Sequence, residues 1–311
     1  CMGLDCFLKA VEFQKKHGHS GQRITNTIQT NGLLLDEDWA KFFQKYNFLV
    51  GLSLDGPGDL HDAYRKSPGG KGSFAEVMQA AGLLEKHKVP FNVLTVLNRR
   101  TVKQPLRITN FFLQNDLNYI QFIPAIETVE ADVGGEISPF SPRPVEVGKF
   151  LDKVFQKWAS SFPPRFSVRY FDSILNTCLG YEPGMCRIDA SCGSYLVVEH
   201  NGDVYPCDFF VEKDLKLGNL NQTSLKEVAG GEEFNRFAEE KFEFSEECRD
   251  CDYLNYCYGG CQRYRSLPGG PKKRTYLCEA YKYFLSRNLE EIERIAQKVK
   301  DRNNGPLRCI N

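Results

Sequence analysis

Eight cysteines between residues 186 and 278 constrain this chain more than any other feature. They run Cys186-x5-Cys192-x9-Gly202-x4-Cys207, then Cys248-x2-Cys251-x5-Cys257-x3-Cys261, and close at Cys278. A cubane iron–sulfur cluster takes four thiolates and so does a structural zinc, so eight supply two tetrathiolate sites with none left over. Cys248-x2-Cys251 is the most specific piece, because two cysteines separated by two residues on a turn can point both sulfurs at one metal. Cys257 closes that chelate. Disulfides would also use an even total of twelve cysteines, but a chain of 311 residues needs no staples, and no secretory signal is visible in it. The spacing calls for two metal sites and leaves iron–sulfur and zinc both open.

Beyond spacing, the run Cys192-x9-Gly202-x4-Cys207, Cys248-x2-Cys251-x5-Cys257-x3-Cys261 and Cys278 resembles the SPASM cluster-binding domain of radical S-adenosylmethionine enzymes that modify peptides. The local wording is similar to the anaerobic sulfatase-maturating enzymes. Matching stretches are Thr27-Ile28-Gln29-Thr30-Asn31-Gly32, Ser53-Leu54-Asp55-Gly56-Pro57, Gln121-Phe122-Ile123-Pro124, Tyr205-Pro206-Cys207-Asp208-Phe209 and Cys257-Tyr258-Gly259-Gly260-Cys261. The resemblance implies a first auxiliary 4Fe–4S cluster on Cys186, Cys192, Cys207 and Cys261, and a second on Cys248, Cys251, Cys257 and Cys278. It also implies S-adenosylmethionine and a third cluster, held by a Cys-x3-Cys-x2-Cys loop after the first strand of a six-stranded βα barrel. That triplet does not occur in this sequence, since Cys1 and Cys6 are too few and too far apart. The expectation is an α/β chain: a partial (β/α)6 barrel without its first two units, a small cysteine-rich domain and a C-terminal helix, inactive in radical chemistry without the loop.

Charge and hydropathy narrow the class further. Forty basic and forty acidic residues are interspersed, giving no net charge and no surface suited to nucleic acid. Apolar runs stop at strand length, far short of the roughly 20 residues that span a bilayer, so no membrane partner is expected. No targeting segment is visible, and so many free thiols fit a reducing cytoplasm.

Along the chain, apolar positions at helical spacing predict a helix over 4–16, followed by alternating β and α signals. Strands are predicted at 25–29, 49–54, 90–97 and 119–123, with helices at 37–46, 74–87 and 102–115 between them. Four strands with short connections argue a parallel sheet of βα units. The prolines at 139, 142 and 144, with Gly134 and Gly135, mark a linker before helices at 145–160 and 171–179. His200-Asn201-Gly202-Asp203 signals a hairpin that would bring Cys192 and Cys207 together at its open end. A packing helix follows Cys278, with nothing in it that points to chemistry. The expected domains are 1–130, 131–180, 181–280 and 281–311.

The predicted strands end in polar residues: Gln29, Thr30 and Asn31, then Ser53 and Asp55, then Asn98, then Gln121. Such residues either line a site at the carboxyl ends of the strands or merely cap strands and start turns. The resemblance assigns Ser53 to the ribose of S-adenosylmethionine and Arg65 to its methionine carboxylate, a task that suits a guanidinium fork. Gln29 and Gln121 would face the substrate peptide or the nucleoside. Pro68-Gly69-Gly70-Lys71-Gly72 follows no strand and is read as a loop rather than a phosphate cradle. Asp208, directly after a cluster ligand, is either a turn aspartate or the base that takes the proton from the substrate side chain, the role the resemblance implies. Cys178 and Cys309 stand outside both sets as ordinary apolar residues.

The implied reaction is oxidation of a cysteine or serine of a sulfatase polypeptide to Cα-formylglycine, with electrons supplied by a donor such as flavodoxin or ferredoxin. A different radical peptide modification, such as thioether or carbon–carbon crosslinking, is one alternative. A non-catalytic zinc-binding module is another, and metal content separates it.

Overall fold

Val50, Leu52 and Leu54 are fully buried at every second position, and this alternation builds the centre of a parallel sheet. The structure, a computed structural model, describes residues 3–129, 135–265, 267 and 273–304. Cys1, Cys309 and Gly134 lie outside the described residues. The chain divides into two units, one of Cys1–Ile123 with Arg165–Val168 and one of Pro124–Pro164 with Arg169–Asn311. In the first, β1 (Asn26–Thr30), β2 (Phe48–Ser53), β3 (Phe91–Leu97) and β4 (Tyr119–Pro124) lie side by side in chain order. A fifth strand, Ser167–Val168, runs parallel to β4 with Tyr119 opposite Ser167. The expectation of four strands is thereby corrected, because a strand of two residues carries no alternation to read.

The helices between these strands are α1 (Leu4–His17), α2 (Glu37–Lys45), α3 (Gly58–His61), α4 (Phe74–Lys86) and α5 (Pro105–Gln114). Asp36 starts α2 by accepting the Asp38 and Trp39 amides at 3.0 Å, which satisfies donors that the first turn leaves open. The helix expected from Val102 begins only at Pro105, after a separate 3-10 turn at Thr101–Lys103, since proline suits the first helical position. Three helix exits share one device. Asn47, Lys88 and Asp116 take φ of 52°, 55° and 55°, and the chain then drops Phe48, Val89 and Leu117 into the core. After α4 and α5 the buried residue's amide bonds back to Leu84 O and Phe112 O at 2.9 Å, closing the last turn.

In the second unit α6 (Pro144–Trp158), α7 (Arg169–Leu179) and the C-terminal helix Cys278–Asn304 pack around Phe155, Trp158, Phe171 and Phe284. Phe171 and Phe284 stack with ring centroids 5.3 Å apart. A Cβ at Gly148 would stand 2.9 Å from Ala280 O and Tyr283 Cβ, so the glycine is what lets α6 close on the C-terminal helix. The hairpin signal is realised: Val197–Val198 pairs antiparallel with Asp203–Tyr205, and Gly202 turns at φ +87°. Gly218–Asn219 adds a third strand to this small sheet, too short to be read from the sequence.

Candidate functional site

Cys248, Cys251, Cys257 and Cys278 line one cavity, together with Glu247, Tyr253, Leu254, Gly259, Arg274, Thr275, Tyr281 and Lys282. Short helices at Glu246–Arg249 and Leu254–Cys257 carry Cys248 and Cys257, Cys251 lies in the link between them, and Cys278 opens the C-terminal helix. Ser245 caps the first of these by accepting the Cys248 amide at 3.3 Å, which fixes the Cys248 backbone. Tyr258 then turns at φ 42°, followed by Gly259 and Gly260 at positive φ, so the chain doubles back between Cys257 and Cys261. Burial, with Cys278, Cys248 and Cys251 adding repulsion, pushes the Cys257 thiol up to about 12. A metal reverses that by taking the thiolate directly.

Cys186, Cys192 and Cys261 form a second electrostatic group, each raising the charge cost of its neighbours. Their counter-charges are unusual in being buried cations. Lys241 is fully buried and donates to Cys186 O at 2.6 Å. Arg265 is spent on backbone carbonyls, reaching Tyr258 O at 2.6 Å, Lys241 O at 2.8 Å and Gly259 O at 3.0 Å. Burial lowers the pKa of both, while the thiols of Cys192 and Cys261 favour the charged forms. Arg187 adds a third cation beside Cys261 and Cys186. Buried cations need an anion, and thiolates carrying a net-negative cluster provide one.

Among the described residues, no three His, Cys, Asp or Glu side chains lie close enough to share a single metal ion. Zinc would draw its four sulfurs to about 3.8 Å from one another. In a 4Fe–4S cluster every thiolate takes its own iron, so four thiols lining one cavity suit that group as well. The wall of the first cavity fits as well: Tyr281 Oη and Arg274 Nε are buried there without a hydrogen-bond partner among the described residues, which an acceptor-rich group would satisfy.

Cys207 stands at the end of the hairpin beside Tyr195, Phe209 and Asp208. Tyr195 Oη donates to Asp208 Oδ1 at 2.7 Å and lies 3.3 Å from Cys207 Sγ, while the Phe209 amide reaches the same sulfur at 3.5 Å. The open end of the hairpin thus sets Tyr195 against Cys207. Asp208 itself is exposed, at the start of a 3-10 turn running to Phe210, and can meet a partner from outside.

In the first unit, Arg65 is held tightly. Its Nε and Nη2 grip Asp55 at 2.6 and 3.2 Å, and Asp55 Oδ1 also accepts the Val96 amide at 2.8 Å. Behind this pair, the Asp55 amide donates to His61 Nδ1 at 3.2 Å, which leaves the proton on Nε2 to meet Ser73 Oγ at 3.0 Å. Ser73 Oγ in turn donates to Arg65 O at 3.0 Å. The ring of bonds closes on itself. Burial depresses the His61 pKa. Ser53 and Gln121 are half-buried at their strand positions and Gln29 is exposed. Thr30, Asn31 and Asn98 serve turns: their side chains accept the amides of Gly32, Leu33, and Arg100 with Thr101. Sequence reasoning missed Tyr195, Lys241, Arg187, Arg265 and His61. Each looks like an ordinary loop or helix residue until burial and contacts are known.

Comparison with known proteins places this geometry. Residues 4–112 match the radical SAM superfamily and residues 190–252 match the SPASM iron–sulfur cluster-binding domain. The chain is 39% identical over 297 residues to a serine-type anaerobic sulfatase-maturating enzyme of Bacteroides thetaiotaomicron, covering 90% of this chain and 72% of that protein. It is 36% identical over 301 residues to a cysteine-type anaerobic sulfatase-maturating enzyme of Clostridium perfringens, covering 96% and 81%. The solved structure of native anSMEcpe with bound AdoMet and peptide superposes with a TM-score of 0.87 at 35% identity, over 96% of this chain and 82% of that one. Streptococcus suis SuiB shares the fold, with a TM-score of 0.57 at 16% identity. The chain belongs to the anaerobic sulfatase-maturating enzymes, radical S-adenosylmethionine proteins that bind 4Fe–4S clusters and carry a SPASM domain.

Proposed function

We propose that this protein oxidises a cysteine or serine of a sulfatase polypeptide to Cα-formylglycine, with Asp208 as the base that takes the thiol or hydroxyl proton. The observation that supports it is the exposed Asp208 carboxylate, oriented by Tyr195 at 2.7 Å and adjacent to Cys207. When bound, S-adenosylmethionine and its cluster supply the radical that removes hydrogen from the substrate β-carbon, and auxiliary clusters accept the remaining electron. This chain's own residues do the rest. Cys186, Cys192, Cys207 and Cys261 would hold one auxiliary cluster, and Cys248, Cys251, Cys257 and Cys278 the other. Arg65, locked by Asp55, would present the remaining end of its guanidinium to the methionine carboxylate, and Ser53 would meet the ribose at the carboxyl end of β2. Gln29 and Gln121 would face the peptide or nucleoside from β1 and β4.

Removing a proton from the substrate heteroatom lets the β-carbon shed an electron, and a fixed nearby carboxylate is what that step requires. With a cysteine substrate, hydrolysis of the resulting thioaldehyde completes the aldehyde. Electrons would come from a flavodoxin or ferredoxin in the cytoplasm; no helix among the described residues is long and apolar enough to cross a membrane. The test uses a chain that includes a Cys-x3-Cys-x2-Cys loop, loaded anaerobically with iron and sulfide, and offers Cys-x-Pro-x-Arg and Ser-x-Pro-x-Arg peptides. Aldehyde formation trapped by a hydrazide, with 5′-deoxyadenosine in step, is the expected result. Crosslinked peptide without aldehyde would instead establish the crosslinking alternative.

A further inference from the structure

Two buried donor atoms share the wall of the cavity lined by Cys248, Cys251, Cys257 and Cys278, and neither has a hydrogen-bond partner among the described residues. They are the hydroxyl of Tyr281 and the Nε of Arg274. Leaving a buried donor unsatisfied is costly, so a pair of them in one wall calls for an acceptor inside it. Arg274 is not loose: its Nη1 is ion-paired with Glu247, which anchors the fork and leaves Nε as the unspent edge. Of the charged groups around the Cys278 thiol, Arg274 acts most strongly. Tyr281 follows Cys278 by one turn of the C-terminal helix, on the same face, and is 4% exposed. Among thiols, Cys257 acts most strongly on its hydroxyl.

We propose that Tyr281 Oη and Arg274 Nε donate hydrogen bonds to the sulfurs of a 4Fe–4S cluster held by Cys248, Cys251, Cys257 and Cys278, and that these bonds hold its reduction potential up. The inference rests on reading that cavity as the second auxiliary site. One-electron reduction adds negative charge to a cluster, and a donor aimed at sulfur stabilises the reduced form more than the oxidised one. The other cysteine group has different company, with Lys241 bonded to Cys186 O and Arg187 beside Cys261. Both donors lie outside the cysteine pattern, on residues that a ligand count never touches.

The experiment uses the 311-residue chain loaded anaerobically with iron and sulfide. Midpoints of both clusters are read by dithionite titration followed by electron paramagnetic resonance, for the unmodified chain and for Tyr281→Phe and Arg274→Gln. The expected result is unchanged iron content, a more negative midpoint for the second cluster in each variant, and an unmoved first cluster. In the unmodified chain, proton double-resonance spectra before and after transfer to deuterium oxide should show exchangeable protons coupled to the second cluster, one of them absent from Tyr281→Phe. That measurement decides the matter even where Arg274→Gln fails to load. Full iron with unshifted midpoints, or no exchangeable coupling, overturns the inference alone. Zinc in place of iron overturns the reading of the cavity, and the inference with it.

Discussion

Tyr195 Oη gives its hydrogen to Asp208 Oδ1 across 2.7 Å while standing 3.3 Å from Cys207 Sγ. One hydroxyl thus stands beside both a proposed cluster ligand and the proposed base. Burial first, and then its neighbours Cys207 and Asp208, raise the Tyr195 pKa, so the phenol keeps its proton and remains a donor. Asp208→Asn should lower aldehyde formation by about 100-fold or more while 5′-deoxyadenosine still forms, because hydrogen removal does not need the base. Tyr195→Phe should lower kcat by about 10-fold with little change in KM. Parallel loss of both products in Asp208→Asn would argue instead that the carboxylate builds the site.

The cysteine sets can be separated by metal counts. Cys278→Ser and Cys261→Ser should each fall from about eight irons per chain to about four, and the surviving cluster should differ between them. A double variant should hold almost none. If both single variants lost the same cluster, the division into two sets would be wrong.

His61 makes the first unit sensitive to acid. Its buried ring has a folded pKa below the ordinary value of 6.5, through burial first, with Arg65 also lowering it and Asp55 and Asp62 opposing. The unfolded chain therefore takes up the proton first as pH falls. Its contribution to stability is complete above about 6.5 and is lost as pH drops through the folded pKa, with a slope of at most about 1.4 kcal/mol per pH unit. Denaturant titrations from pH 5 to 8 should show this limb, and His61→Gln should flatten it. An equal slope in the variant would move the origin to another group.

Phe284 is fully buried and touches the rings of Phe155, Tyr170 and Phe171. Phe284→Ala should destabilise the second unit by about 3–5 kcal/mol, since removing a ring from such a cluster leaves a cavity. Urea unfolding followed by far-ultraviolet circular dichroism measures this. A loss below about 1 kcal/mol would mean that the helices repack around the gap.

The sequence by itself determined two things about this protein. Short apolar runs such as Phe48–Ser53 and helical spacing in stretches such as Phe74–Lys86 are local properties, and they specified the βα units within a few residues. Cysteine spacing called for an iron–sulfur or zinc domain, and the match to an iron–sulfur cluster-binding domain over residues 190–252 agrees, because a chelate turn at Cys248 and Cys251 is also a local constraint. What surrounds those thiols is not local. Lys241 lies 55 residues from Cys186 in the chain, and no pattern near either announces that an ammonium will be buried against that carbonyl. Ser167–Val168 becomes a strand only because β4 offers it an edge. Tyr195 acquires meaning from the Asp208 carboxylate it bonds, and Tyr281 and Arg274 from the donors they leave unsatisfied among the described residues. The tertiary structure alone decided which groups share a dry space, and there an unpaired charge or donor is costly enough to require a partner.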